Sequence, residues 1–395
     1  MNWFSSVLER DNKTMTVAVI LLTIACHFSL FGASLGVVLL YVGVLIAWFK
    51  AKKISIPDVA VKWGFAAFFV SLLISGFFST DSGDVLRLFF QKRLPLWSIS
   101  IFIPFVFDTK EDAKELLKYF LIFGVITSAA SITQYIVSNG EIERLTMFTH
   151  YMTAGGMLMT LSLLMIPVLL TKGSPKSWKI FSGVGLLITI PALILTSTRS
   201  SWLGFILGVI IIGIMMRKEI IYLLLAGIVV FFFFAPQNLK ERVESIWNLN
   251  HPNNIGRLHM WEGGIKIWKN NPILGVGDHD LKTEYAKYRK PAENEDGGHL
   301  HNIVIMWLAT GGILGFSAML FLLFQIGSGL LKTYHSGNDW ITSSISMGGF
   351  ACFFGYLLNG MFEWNFGDTE IVTYMGLIYG YSWIVLKDNA KNEKH

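Results

Sequence analysis

The stretch PQNLKERVESIWNLNHPNNIGRLHMWEGGIKIWKNNPILGVGDHDLKTEYAKYRKPAENEDGGHLHN, residues 236–302, is the long polar interruption in a chain otherwise made of apolar runs. On either side of it, apolar segments recur from Met15 to Leu386. Runs of about 20 residues are what a helix needs to cross a bilayer. Backbone polar groups in lipid must be satisfied within the segment, so spanning runs of this kind are helices. No ten-residue stretches of alternating polarity occur, which excludes an outer-membrane barrel. The fold class is therefore an all-α integral membrane protein, with about 12 transmembrane helices and one large extracytoplasmic loop.

The expected spans are roughly 15–31, 35–49, 63–79, 94–107, 116–137, 149–171, 178–196, 201–216, 219–235, 303–331, 342–361 and 370–386. The segment 86–107, which contains the fourth span, is interrupted by Arg87, Lys92 and Arg93. Three parts follow: helices one to nine in residues 1–235, a loop domain in 236–302, and helices ten to twelve with a short tail in 303–395. Charge orients them. With the N-terminus in the cytoplasm, the cytoplasmic segments hold eighteen basic residues, and the short outward loops hold only Arg87, Lys92, Arg93, Arg144 and Arg199. Such an excess marks the cytoplasmic side, and long loops escape the rule. Both termini are expected in the cytoplasm and residues 236–302 outside. The end, Lys387 to His395, reads as a solvated tail.

Composition agrees. Of 395 residues, 53% are hydrophobic and only 15% charged, where a soluble domain carries about 25%. Mean hydropathy is +0.53. The formal charge of +5 sits at helix ends, where topology accounts for it, so nucleic acid is not an expected partner. Cys26 and Cys352 lie inside apolar runs and imply neither a disulfide framework nor a metal site. No cleavable signal peptide is evident.

The chemistry-bearing residues gather at the expected outer face. Thr196 to Trp202 (TSTRSSW) joins two apolar runs with almost no loop, which gives Arg199 little freedom. A fixed guanidinium fork suits a phosphate or pyrophosphate. Arg257 to Lys269 reads as a helix, with Trp261, Ile265 and Trp268 on one apolar stripe and Arg257 one turn before Trp261. Pro272 to Gly277 (PILGVG) is a turn signal; it lacks the lysine of a phosphate-binding loop. Asp278, His279 and Asp280 are neighbours, which rarely converge on one metal ion, and Glu293 to Asp296 reads as a solvated acidic loop. His299 and His301 precede the tenth span, where an imidazole can move protons near neutral pH. Asn302 suits a helix N-cap. Gly311, Gly312 and Gly315 suggest close helix packing. Glu363 to Asp368, in the last outward loop, reads as solvated, with orientation of a base or binding of an acceptor as the alternative.

Four motifs in order resemble the O-antigen ligase and polymerase superfamily: Thr-Ser-Thr-Arg-x-x-Trp at 196–202, Arg-x-x-x-Trp at 257–261, Asn-Pro-x-x-Gly-Val-Gly at 271–277, and His301-Asn302 followed by Gly311, Gly312 and Gly315. The motifs cover about residues 190–320; length and span count extend the likeness to the whole chain. The resemblance implies a GT-C-like, metal-independent, inverting glycosyltransferase of the bacterial inner membrane, with a periplasmic site and no cofactor. Its donor would be a glycan on undecaprenyl pyrophosphate, its acceptor a sugar of the lipid A core, and membrane lipids its surroundings. Arg199 and Arg257 would bind the pyrophosphate and His301 would act on the acceptor hydroxyl. His299, Trp261, Lys92, Arg93 and Arg144 are further candidates for substrate contact. An O-antigen polymerase or a protein O-oligosaccharyltransferase would share these motifs. A lipid-linked sugar transporter is the reading from another class, disfavoured because no repeat or mid-span charge pair is seen.

Overall fold

The computed structural model describes Trp3 and residues 12–51, 61–290, 297–337 and 339–392. Among these residues all regular structure is helical. The expected acidic loop Glu293 to Asp296 lies outside the described residues.

The helices are α1 (Lys13–Ala25), α2 (Leu30–Ala51), α3 (Lys62–Phe77), α4 (Ser82–Leu88), α5 (Leu94–Trp97), α6 (Ile99–Val106), α7 (Lys110–Val137), α8 (Tyr151–Leu170), α9 (Lys176–Leu195), α10 (Arg199–Met215), α11 (Glu219–Phe234), α12 (Gln237–Glu244), α13 (Pro252–Asn270), α14 (Lys282–Ala286), α15 (Ile303–His335), α16 (Trp340–Gly360) and α17 (Thr369–Asn392). Six of them, α2, α7, α8, α9, α15 and α16, are long and apolar enough to cross a membrane. Four more, α1, α3, α10 and α11, are apolar but shorter. The fourth expected span, 94–107, is the broken pair α5 and α6, entered through α4 and a π-helical turn over Phe89–Arg93.

α8, α10, α16 and α17 form the centre of the bundle, with α8 buried almost throughout. Glycines set the closest approaches. A Cβ on Gly204 of α10 would stand 2.6 Å from the Gly355 carbonyl of α16, a backbone proximity that small residues permit between membrane helices. In contrast α11 has no buried residue.

Polar contacts segregate to two ends. At one end Lys110 pairs with Asp339 at 2.8 Å, Lys391 with Asp108 at 2.5 Å, and Trp178 packs on Trp340. These segments share the expected cytoplasmic side. At the other end lie the 138–150 loop, the 196–198 turn, residues 236–302 and the 361–368 loop. The tail expectation needs correction: α17 continues to Asn392, and Lys387 donates to the Pro104 carbonyl at 2.7 Å, so the basic residues there staple α17 to the α6–α7 turn.

The polar segment is not a separate cap. Its Pro272–Gly277 turn docks into a break in α15. Gly312 has φ +59° and ψ −162° inside that helix. The break frees backbone groups, and the turn satisfies them. Val276 N–H donates to Ala309 O at 3.0 Å and Gly277 N–H to Thr310 O at 2.9 Å; in return Ile313 and Leu314 N–H donate to Pro272 O and Ile273 O at 2.9 and 3.1 Å. Ser75 and Ser79 of the α3 end cover the turn, donating to Leu274 O and Val276 O, each at 2.6 Å. A Cβ on Gly312 would lie 2.3 Å from Ile273 O, and one on Gly275 would lie 2.4 Å from Thr310 O. Irregular backbone at membrane depth is tolerated where protein buries it, and here two glycine motifs bury each other. The small residues at 311–312 therefore serve a loop, not the neighbouring helix that sequence suggests. Gly315 has open space at its Cβ position.

Candidate active site

Each functional side chain is set by a short local device. The 196–198 turn reverses the chain through Ser197, whose φ is +53°. Arg144 Nη2 and Arg242 Nε both donate to the Ser197 carbonyl, at 2.8 and 3.1 Å, and Arg144 Nε donates to Thr196 O at 3.0 Å. The Arg144 guanidinium carbon also stands over the Tyr151 ring, 3.4 Å from its centroid. Arg199, the first residue of α10, is buried. Its Nη1 donates to Ser245 O and Oγ at 2.7 and 3.0 Å and its Nη2 to Asn254 Oδ1 at 2.9 Å. The restricted freedom expected of this arginine is met by contacts from residues 245–254.

α13 carries Arg257, but the expected stripe of Trp261, Ile265 and Trp268 is not the docked face. The buried residues are Met260, Gly263, Gly264 and Ile267, while Ile265 is exposed. The reason is the glycine pair: the Tyr285 ring and Leu300 fill the space that side chains at 263 and 264 would occupy. Counting large apolar residues missed this groove. Trp261 lies at its edge, where its indole N–H donates to Leu300 O at 3.1 Å and so fixes the residue before His301.

His301 has φ +47°, a sparsely populated conformation for any residue other than glycine. Asn302 then caps α15 as expected, accepting from Val304 and Ile305 N–H at 3.0 Å each. Its amide also donates to Met361 O at 3.0 Å, tying the start of α15 to the loop that carries Glu363. His301 Nδ1 stands 2.9 Å from Glu363 Oε1, and His299 Nε2 stands 3.8 Å from the same oxygen. The two imidazole centroids are 4.2 Å apart.

These groups line one cavity of about 500 Å³. It brings together Arg144, Arg199, Arg242 and Arg257, with His150, His299, His301, Glu363 and Asp368. Of the expected residues, Arg199, Arg257, His301, His299 and Arg144 line it. Trp261, Lys92 and Arg93 do not. Arg93 is committed elsewhere: its Nε and Nη2 meet both Asp278 oxygens at 2.5 and 2.8 Å, and its guanidinium faces Trp364. Lys92 does not line the cavity but lies within the field of Asp368. Asp278 is thus an ion-pair partner, and His279 faces Glu284 at 3.4 Å.

The stretch from Glu363 to Gly367 is buried, not solvated as expected. Glu363 is buried and Asp368 lies at the edge of burial. Burial alone would raise the Glu363 pKa, but the His301 hydrogen bond and the charges of His301, Arg257 and His299 hold it down at about 2. Asp368 goes the other way. Burial and the Glu363 charge push it up to about 7, while the Thr153 hydroxyl donates to it at 3.0 Å. Two carboxylates with divergent pKa values in one cleft mark a functional site. On the opposite wall, burial and then the charges of Arg242, Arg199 and Arg257 lower Arg144 to about 10, against an opposing effect of Tyr151. Packed guanidinium groups that depress one another are suited to a multiply charged anion.

His150 and Arg242 are the residues that sequence reasoning misses; Glu363 and Asp368 are legible as possible base-orienting groups but read first as a solvated loop. A histidine base needs an orienting acceptor, which is the signal that favours the alternative. Arg242 had none, because a short polar helix does not announce which side it presents.

Residues 184–320 match a family model described as O-antigen ligase. The match runs from α9 through the polar segment into α15. It contains Arg199, Arg242, Arg257, His299 and His301, and leaves out Arg144, His150, Glu363 and Asp368. No match is found among curated proteins. The matched segment, which holds most of the cavity wall, is thus similar to the O-antigen ligase family over residues 184–320.

Proposed function

We propose that the protein is an O-antigen ligase, a glycosyltransferase that moves a glycan from undecaprenyl pyrophosphate to a sugar of the lipid A core, in the bacterial inner membrane. The observation that carries this reading is the cavity itself, where four arginines face a His–Glu pair. On this reading the chain makes twelve membrane passages with a GT-C-like arrangement. Both termini lie in the cytoplasm, and residues 236–302 form a periplasmic segment integrated with α15.

The donor is already activated, since its leaving group is a lipid pyrophosphate. Arg144, Arg199, Arg242 and Arg257 hold that diphosphate and stabilise the charge that grows on it as the glycosidic C–O bond breaks. The acceptor hydroxyl oxygen forms the new bond to the anomeric carbon from the opposite face, which inverts the centre. Its proton goes to His301 Nε2. Glu363 makes this feasible: an ionised carboxylate only accepts, so Nδ1 must carry the hydrogen and Nε2 the lone pair. The pair then stabilises the imidazolium that forms. Such base catalysis contributes about 10²–10⁴-fold. The scheme uses no metal and no cofactor.

Ligation is favoured over polymerisation because one outward segment dominates the chain. A transporter reading would use the broken α15 as a binding site, but the Pro272–Gly277 turn fills that break.

The test is reconstituted transfer with the purified full chain, a lipid-pyrophosphate glycan and three rival acceptors: core lipid, a second donor molecule and a pilin-like peptide. Product on core lipid alone supports ligation. Product on the second donor or the peptide transfers the assignment to polymerase or protein glycosyltransferase. Donor binding without turnover on any acceptor would overturn the enzyme reading.

A further inference from the structure

The cluster that transfer explains incompletely is His299, His301 and Glu363. Base catalysis needs His301 and one oxygen of Glu363. It does not need a second imidazole on the same oxygen. Glu363 Oε2 is buried and has no hydrogen-bond partner, which is costly for a carboxylate oxygen.

The three side chains each present a donor atom, and all three atoms lie within 4.8 Å of one another. His301 Nδ1 and His299 Nε2 stand 2.9 and 3.8 Å from Glu363 Oε1. Four-coordinate zinc with bonds of 2.0–2.2 Å has donor–donor edges of about 3.3–3.6 Å. The observed separations bracket that value. Two imidazoles and one carboxylate are a zinc donor set that leaves the fourth position open, and the cluster borders the cavity. The supports are firm: His301 is held by its backbone and the Asn302 cap, and the Glu363 loop by the bond from Asn302 to Met361 O. Both cysteines are buried as free thiols within α16 and the α1 end, far along the chain from this loop.

We infer that His299, His301 and Glu363 form a reversible transition-metal site, suited to Zn²⁺, whose occupation shuts off the base. Binding through Nδ1 of His301 displaces the hydrogen bond to Glu363. The hydrogen then resides on Nε2, which becomes a donor only and cannot accept the acceptor's proton. No bond in substrate is made or broken by this step; a proton moves from Nδ1 to Nε2 as the metal binds. Arg257 lies in the field of Glu363, so the site is less negative than a thiolate site, and that favours release. Metal binding itself does not depend on the transferase reading; the inhibition rests on it.

The probe is Co²⁺ added to the full chain in detergent micelles, purified without a histidine tag. Four-coordinate Co²⁺ should give a visible absorption band that saturates at one ion per chain and is bleached by Zn²⁺. His299→Ala and Glu363→Gln should each lose the band, while His150→Ala, at another cavity histidine, should keep it. An unchanged melting temperature and elution profile identify variants that remain folded. Saturating Zn²⁺ should lower wild-type transfer by about 10²-fold or more, and a chelator should restore it. A band that survives in His299→Ala and Glu363→Gln, or no saturable band, overturns the site. A band at this site with transfer unaffected by Zn²⁺ overturns the switch. Absence of transfer under all conditions with the band intact would instead count against the ligase reading alone.

Discussion

Glu363 Oε1 stands 2.9 Å from His301 Nδ1 across 62 residues of sequence. The two lie on opposite sides of α15 and α16 in the chain, and Asn302 holds their loops together through Met361 O. On the proposed reading, the acceptor base therefore has its orienting partner in place before any substrate arrives.

Replacing that partner should cost rate and leave the fold. Glu363→Gln keeps size and can hydrogen-bond Nδ1, but it no longer stabilises the imidazolium. We expect kcat to fall by about 10²-fold or more, with little change in donor affinity. Steady-state transfer kinetics read the split; a donor KM raised with kcat retained would contradict the assignment.

Arg199 and Arg257 should both be needed. Arg257→Ala removes charge from the cavity wall, while Arg199→Ala also frees Ser245 and Asn254. Both should lose at least 10-fold in kcat/KM, corresponding to about 1.4 kcal/mol of transition-state stabilisation. Arg199→Lys should not recover it, because an ammonium cannot span both partners. Recovery with lysine would mean that charge alone matters there.

Stability should depend on pH through the two carboxylates, with opposite signs. Asp368 is raised from 3.8 to about 7, so the folded state holds its proton more tightly. Its contribution is present below the unfolded pKa and is lost as pH rises towards 7. Glu363 is lowered from 4.5 to about 2; its contribution is present above pH 4.5 and is lost as pH falls below that. Asp368→Asn should therefore raise the melting temperature relative to wild type at pH 8 more than at pH 5. Equal shifts at both pH values would show that Asp368 titrates normally.

Glycines 312 and 315 should separate cleanly. Gly312→Ala places a Cβ 2.3 Å from Ile273 O at a φ of +59°, where a side chain is strained. It should depress the melting temperature and the folded yield. Gly315→Ala meets open space and should be tolerated. Thermal unfolding in detergent distinguishes them.

Transfer should persist when divalent ions are removed by chelator. A requirement for added Mg²⁺ or Mn²⁺ would defeat the arginine-only account of leaving-group stabilisation.

Much of the architecture was legible because hydrophobic run length is a one-dimensional property. The apolar helices, the polar interruption and the Asn302 cap follow from local pattern, whereas Arg199 is held by Ser245 and Asn254, about 50 residues on. What sequence hid is what depends on shape. The docked face of α13 is made by Gly263 and Gly264, which contribute no hydrophobicity and register only when Tyr285 and Leu300 fill the groove. Glu363 looks like a loop acid until the fold carries it beneath His301. Arg93 looked available for anionic lipid, and only the distant Asp278 shows that it is already taken.

The interlock between Pro272–Gly277 and the interrupted α15 also sets how this protein can be recombined with its relatives. Four backbone hydrogen bonds cross between the turn and the helix, and each side is shaped for the other's missing Cβ atoms. A chimera that transplants the outer segment but keeps its host's helix would bring together two surfaces shaped for different partners. The smallest modular unit is the block 272–314, inherited or exchanged as a whole.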